Sequence, residues 1–240
     1  MIKIENVEVM GWDTAIRGMR NPMNSWEKSD SGTCGYPHHI GCANCPDHKI
    51  CNHPFRNDGV FKLGKADYEL VMKLVKAGTD HRKFMRMIAV YADITAPLYW
   101  WKEYDTYKVG TVANSCSTMH KIAEKEFTLE DFSCEHLDIR TRKILEEIIK
   151  ALNDYRTLYI NYNPNDFEIK GCPSKKDLWW QMIQLLPSSY NQKRTVMLNY
   201  EVLANIYKSR KNHKLDEWRT FCDWIKALPY SELITGGTDE

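Results

Sequence analysis

An α+β fold, in which a few strands are set among long helices in a single domain over residues 1–240, is the architecture the sequence predicts, on three observations. The run Phe84, Met85, Met87, Ala89, Tyr91 alternates in the manner of a strand and turns at Ala96-Pro97 into a helix over Leu98–Lys108 that the proline opens. Ile144, Leu145, Ile148, Ile149, Leu152 and Tyr155 recur at helical spacing and mark a long amphipathic helix. The N-terminal Ile2, Ile4, Val7 and Val9 suit a further strand.

Taken in order, Asp13 is placed to cap a short helix through Ala15, Ile16 and Met19 that Asn21-Pro22 stops. Arg17 and Arg20 share a face of it, within reach of a phosphate or of local acids. Leu70, Val71, Leu74 and Val75 give another helix, with Gly78 set to end it in a left-handed cap. Beyond the proline-opened helix lies a small polar loop, Gly110 to Thr118, and Thr128 to Asp131 read as a helix start. Ser174 with Asp177 caps a helix running through Trp179, Trp180 and Met182 up to Pro187. The remainder reads as two helices, one carrying Leu198, Val202, Leu203 and Ile206, the next Leu215, Trp218, Phe221 and Ile225. Between them Lys208, Arg210, Lys211, His213 and Lys214 form a basic turn, either a phosphate site or a solvated charge run. The pairs Trp100-Trp101 and Trp179-Trp180 suit core or interface, or stacking on a base or flavin.

With 43% hydrophobic residues in 240, the chain can bury a full core without disulfides. The net charge of +1 lacks the global footprint of a nucleic-acid binder, which leaves only a local patch for such a role. There is no apolar run of membrane-spanning length and no signal-peptide pattern at the N-terminus, so a cytoplasmic protein is expected.

Residues 32–57 stand apart. This stretch has little apolar periodicity and is dense in Gly, Pro, Cys and His, with Cys34, Cys42, Cys45 and Cys51 interleaved with His38, His39, His48 and His53. A Cys-x2-Cys pair lets two thiolates meet one tetrahedral ion, and so small a segment needs metal binding to order it, which predicts structural zinc on the four cysteines. A histidine can replace a thiolate in that set, and an iron–sulfur cluster or unligated thiols are the alternatives.

The spacing from His81 through Ala96-Pro97 to Lys102-Glu103 resembles the central segment of the flavin-dependent thymidylate synthases, which run histidine, strand, Ala-Pro, Arg-Gln, Arg-His-Arg, then serine. The family's Asn-x-Arg-x-Leu segment and later arginine find counterparts in Asn199, Leu203 and Arg210. The chemistry departs: Arg-Gln is Lys102-Glu103, Arg-His-Arg is Thr106-Tyr107-Lys108, the serine is Cys116, the arginine after it Thr118, and the arginine of Asn-x-Arg is Glu201.

The resemblance spans roughly residues 64–228 and leaves the Cys-rich insertion outside it. It implies an antiparallel sheet flanked by helices, a homotetramer, and a site that binds dUMP and FAD in methyl transfer for dTMP synthesis. Carried over position by position, it implies Lys102, Glu103, Lys108 and Arg210 at the nucleotide and His81, Tyr107 and Asn199 at the cofactor. Three functions follow: such an enzyme, a non-catalytic relative binding a nucleotide, nucleic acid or protein, or a zinc-containing structural protein.

Overall fold

The computed structural model describes residues 2–33, 61–163 and 173–236. In chain order the elements are β1 (Lys3–Met10), α1 (Trp12–Arg20), β2 (Gly32–Thr33), β3 (Phe61–Lys62), α2 (Lys65–Lys76), β4 (Ala89–Pro97), α3 (Leu98–Tyr104), β5 (Val112–Ser115), α4 (Thr118–Lys121), α5 (Ile139–Ile160), α6 (Lys175–Leu185), β6 (Asn191–Asn199), α7 (Tyr200–Arg210), α8 (Asp216–Lys226) and α9 (Glu232–Thr235). Short 3-10 helices lie at Asn21–Met23, Trp26–Lys28, Lys83–Met87 and Leu129–Asp131.

The class is α+β, as the sequence predicts, with the antiparallel sheet flanked by helices that the resemblance implies. Four strands line up as β1-β4-β6-β5, and β2 pairs with β3 in a separate ladder. On β4, Val90, Ala92, Ile94 and Ala96 are buried in alternation, the period that puts every second side chain on one face. The edge pair is antiparallel, with Val112 opposite Met197 and Ser115 opposite Arg194.

The chain groups into two compact units. One comprises Met1–Glu8, Tyr91–Met197 and Arg210–Trp224. Within it α5 packs on α6, and Leu145, Ile149, Leu152 and Met182 close over Ile122, Phe127 and Phe132. Asp138 caps α5 by accepting from Thr141 N at 2.7 Å, and the Ser174–Asp177 capping box opens α6 as the sequence predicts. A second core is aromatic: Trp100, Trp101, Tyr104, Trp218 and Phe221 are all buried, with the Trp100 and Trp218 rings 4.8 Å apart. Burying each such ring stabilises the fold by roughly 1.5–3 kcal/mol, so Trp100-Trp101 is core rather than a stacking platform.

The other unit comprises Val9–Val90, Leu198–Ser209 and Ile225–Glu240. Trp12 stacks on Phe61 at 5.5 Å and meets Tyr200 and Tyr230 edge-on. Arg20 is not a phosphate ligand: its Nε donates to Asp67 at 2.6 Å, and both side chains are buried. Asp67 also accepts from Ser29 Oγ and from the Asp30 and Ser31 backbone, while Asp30 in turn accepts from the first amides of α2. A Cβ on Gly64 would fall 2.2 Å from the Asp30 carboxyl, so only glycine lets that cap close. Gly78 ends α2 at a φ of 101°, as expected.

Several elements differ from the sequence reading. Phe84 and Met85, both buried, belong to a 3-10 helix over Lys83–Met87 rather than to a strand, and β4 begins at Ala89. Helix α3 ends at Tyr104, short of Lys108, because Thr106 N and Tyr107 N turn back to carbonyls three residues earlier. The loop expected over Gly110–Thr118 contains β5, and Thr128–Asp131 forms only a 3-10 turn. The segment read as helix around Leu198 is the end of β6, with Val196 and Leu198 buried in alternation. Among the described residues no helix is long and apolar enough to cross a membrane.

Candidate functional site

Helix α3 is anchored at its start by backbone hydrogen bonds and by the Tyr99 hydroxyl, which donates to Glu217. Pro97 supplies the extended entry, and Leu98 N and Tyr99 N donate to the carbonyls of Tyr190 and Ser188 at 3.0 and 3.1 Å. That fixes the rotation of the helix: Trp100, Trp101 and Tyr104 face the core, Lys102 is exposed, and Glu103 lies at the boundary. Tyr107, half-buried, follows one turn later, and Lys108 is exposed.

At that boundary Glu103 meets Arg210. Glu103 Oε2 accepts from Arg210 Nη1 at 2.7 Å and from Trp218 Nε1 at 2.9 Å. Arg210 Nε donates to the Tyr107 hydroxyl at 2.9 Å, and the guanidinium lies 4.8 Å from the Trp218 ring centre and 5.7 Å from that of Tyr107. His213 completes the cluster, with Nε2 at 3.0 Å from Arg210 Nη1 and 3.5 Å from Glu103 Oε2, while Leu215 N donates to its Nδ1. The guanidinium is thus held by a carboxylate, a phenol and an indole face, an arrangement that fixes its orientation and offsets its charge.

A second cation, on strand β6, packs against the same helix. Arg194 stacks over the buried Trp101 ring at 4.2 Å, donates to Asp105 at 2.7 Å and to the Gln192 side chain at 3.0 Å. Gln192 in turn donates to the Cys116 carbonyl and the Thr118 hydroxyl, and its own carbonyl takes the Trp101 indole N–H. The chain of contacts links the end of α3 to the turn after β5. Beside that turn opens a cleft of about 620 Å3 lined by Cys116, Ser117, Thr118, Phe127, Tyr190 and Gln192.

The lysines of the cleft are matched by acids: Lys121 by Glu124, Lys125 by Asp131 and Lys193 by Asp93 at 3.2 Å. The Thr195 hydroxyl, the Asn6 amide and Lys193 hold the Asp93 carboxyl down at about 2.

The structure brings Glu103, Tyr107 and Arg210 together, with Lys102 and Lys108 on the exposed side of the same segment. His213 and Trp218 join them, and Arg194 and Gln192 are additions that the sequence reading missed, because β6 was read as helix. His81 and Asn199 lie in the other compact unit. His81 is exposed, and its N–H turns back to Gly78 O at 3.0 Å. Asn199 is buried and its Oδ1 accepts from Val202 N at 3.0 Å, a cap on α7.

In that same unit Glu201 stands where the resemblance expects an arginine, and Arg82 lies against it, 2.8 Å from Nε to Oε2. Cys34, Cys42, Cys45 and Cys51 fall outside the described residues; among the described residues no group of three His, Cys, Asp or Glu is placed to hold a metal.

No protein-family model and no curated protein matches the sequence. Solved structures do match in three dimensions. A structure of thymidylate synthase X (ThyX) from Helicobacter pylori with FAD and dUMP aligns with a TM-score of 0.60 at 15% identity, over 97% of this chain and 96% of that one. A second structure of the flavin-dependent thymidylate synthase ThyX from the same organism, complexed with FAD and dUMP, gives 0.56 at 16% identity, over 95% and 96%. The chain therefore has a ThyX-like fold along nearly its whole length.

Proposed function

We propose that this chain binds a pyrimidine nucleotide of the dUMP type beside α3, with Arg210 as the principal contact to the phosphate and the exposed Lys102 and Lys108 adding longer-range attraction. The observation that carries the reading is the placement of Arg210: a guanidinium oriented by Tyr107, Glu103 and the Trp218 ring, in a chain whose fold matches structures that hold dUMP and FAD. An oriented guanidinium loses little freedom on taking an anion, which favours binding.

The activity such a site would serve is methyl transfer to dUMP in dTMP synthesis, in a cytoplasmic homotetramer. Bound FAD would supply hydride chemistry there. The fit of this chain to the flavin is partial, since the Asn199 amide oxygen caps α7 and the Tyr107 hydroxyl is taken by Arg210. What the chain's own residues contribute is the holding and orienting of the nucleotide. The reading also keeps structural zinc on Cys34, Cys42, Cys45 and Cys51, for which elemental analysis of protein purified without chelator should find about one zinc per chain.

The pairing of Glu103 with Arg210 and of Glu201 with Arg82 favours a second reading, a relative that binds the nucleotide without the flavin reaction. An absorption spectrum separates the two. Purified protein with a flavin band near ~450 nm, and dTMP formed on adding substrates, supports the enzyme. Colourless protein that still binds dUMP supports the non-catalytic reading, and protein that binds neither contradicts both.

A further inference from the structure

We infer that Glu103 is a built-in anion that competes with the ligand's phosphate for Arg210, and so sets how strongly the site distinguishes a 5′-phosphorylated nucleoside from the bare nucleoside; the inference rests on the nucleotide-binding reading above. Glu103 is no loose surface partner. Its Oε2 is fixed by two donors, Arg210 Nη1 at 2.7 Å and the indole N–H of the fully buried Trp218 at 2.9 Å. Arg210 is equally confined, since its Nε is committed to the Tyr107 hydroxyl and its plane to the two rings. Two of the three guanidinium nitrogens are therefore engaged before any ligand arrives.

An incoming phosphate must share the guanidinium with a carboxylate a few ångströms away or push that carboxylate aside. Like charges at about 4 Å, in a setting between water and protein interior, repel enough to cost about tenfold or more in affinity. A nucleoside without the phosphate meets no such opposition. The sequence put an acid at this position among the ligand contacts; the structure gives that acid a definite role in selectivity.

The test is calorimetric titration of dUMP and of deoxyuridine into the full chain, its Glu103→Gln variant and the Glu103→Gln/Arg210→Ala double variant. Glutamine keeps an oxygen for the Trp218 N–H while removing the charge. The unmodified chain should prefer dUMP over deoxyuridine by less than about tenfold. Glu103→Gln should tighten dUMP about tenfold or more and leave deoxyuridine within about twofold, and the double variant should bind dUMP more weakly than Glu103→Gln does.

A hundredfold preference for dUMP in the unmodified chain overturns the inference even if the variants fail to fold. So does a Glu103→Gln chain in which both ligands still bind but their ratio is unchanged, or a double variant that binds dUMP as tightly as Glu103→Gln; in these cases nucleotide binding itself stands. No binding of either ligand to any of the three proteins overturns the nucleotide reading and the inference together.

Discussion

Asp67 has no exposed surface, and its charge is kept by its neighbours. Burial alone pushes its carboxyl up, yet hydrogen bonds from Ser31, Ser29, Arg20 and the Asp30 backbone more than offset this and leave it below the usual carboxylate range. Asp67→Asn leaves Arg20 buried without a countercharge and should cost about 3 kcal/mol, read as a lower urea midpoint. Because the folded carboxyl titrates below the unfolded one, its contribution is present above about pH 4 and fades as pH falls through the folded value. The gap between variant and parent should shrink accordingly in acid, and equal midpoints at pH 7 would contradict the account.

At this scale the sequence was half legible. Arg17 and Arg20 were visible as a pair on one helical face, but the partner of Arg20 is 47 residues away and no local pattern points to it. Glu103 and Arg210, named separately as ligand contacts, lie 107 positions apart, so their mutual neutralisation is a property of the fold alone.

Among the elements, helices whose apolar spacing and caps agree were legible. Helix α6 is the clearest: Ser174 Oγ accepts from Asp177 N at 3.2 Å, and Asp177 returns the contact to Ser174 N at 2.8 Å. Ser174→Ala should cost about 1 kcal/mol, seen as roughly fivefold faster hydrogen exchange in the first turn of α6. Unchanged exchange there would mean that packing, not the cap, fixes the helix start. The strands were harder. Val196 and Leu198 mark only two inward positions before Asn199 hands the chain to α7, so the run blended into the helical series of Val202, Leu203 and Ile206. All four residues of β5 are exposed, which leaves no apolar alternation to read, and the strand exists because β6 offers it a ladder. The cost of those two misses was Arg194 and Gln192, which connect α3 to the cleft.

For the molecule as a whole, periodicity and spacing led to the α+β class, and the antiparallel sheet followed from a resemblance that the solved ThyX structures support in fold. What the pattern could not supply is the electrostatic balance of the site. The near-zero net charge of +1 is repeated locally, where Arg194 and Arg210 beside α3 and Lys125 and Lys193 at the cleft each have an acid within reach. A nucleotide bound there would depend on a few oriented groups rather than on a positive field.

The central claim is that Arg210 holds a nucleotide phosphate, and the measurement that tests it most directly is calorimetric titration of dUMP into the full chain and its Arg210→Ala variant under the same salt. Removing the guanidinium takes away one charge-assisted hydrogen bond and leaves Glu103 facing the phosphate, so dUMP binding should weaken by about 1.5–3 kcal/mol. Equal affinity of the two proteins, or no binding of dUMP by the unmodified chain, would contradict it.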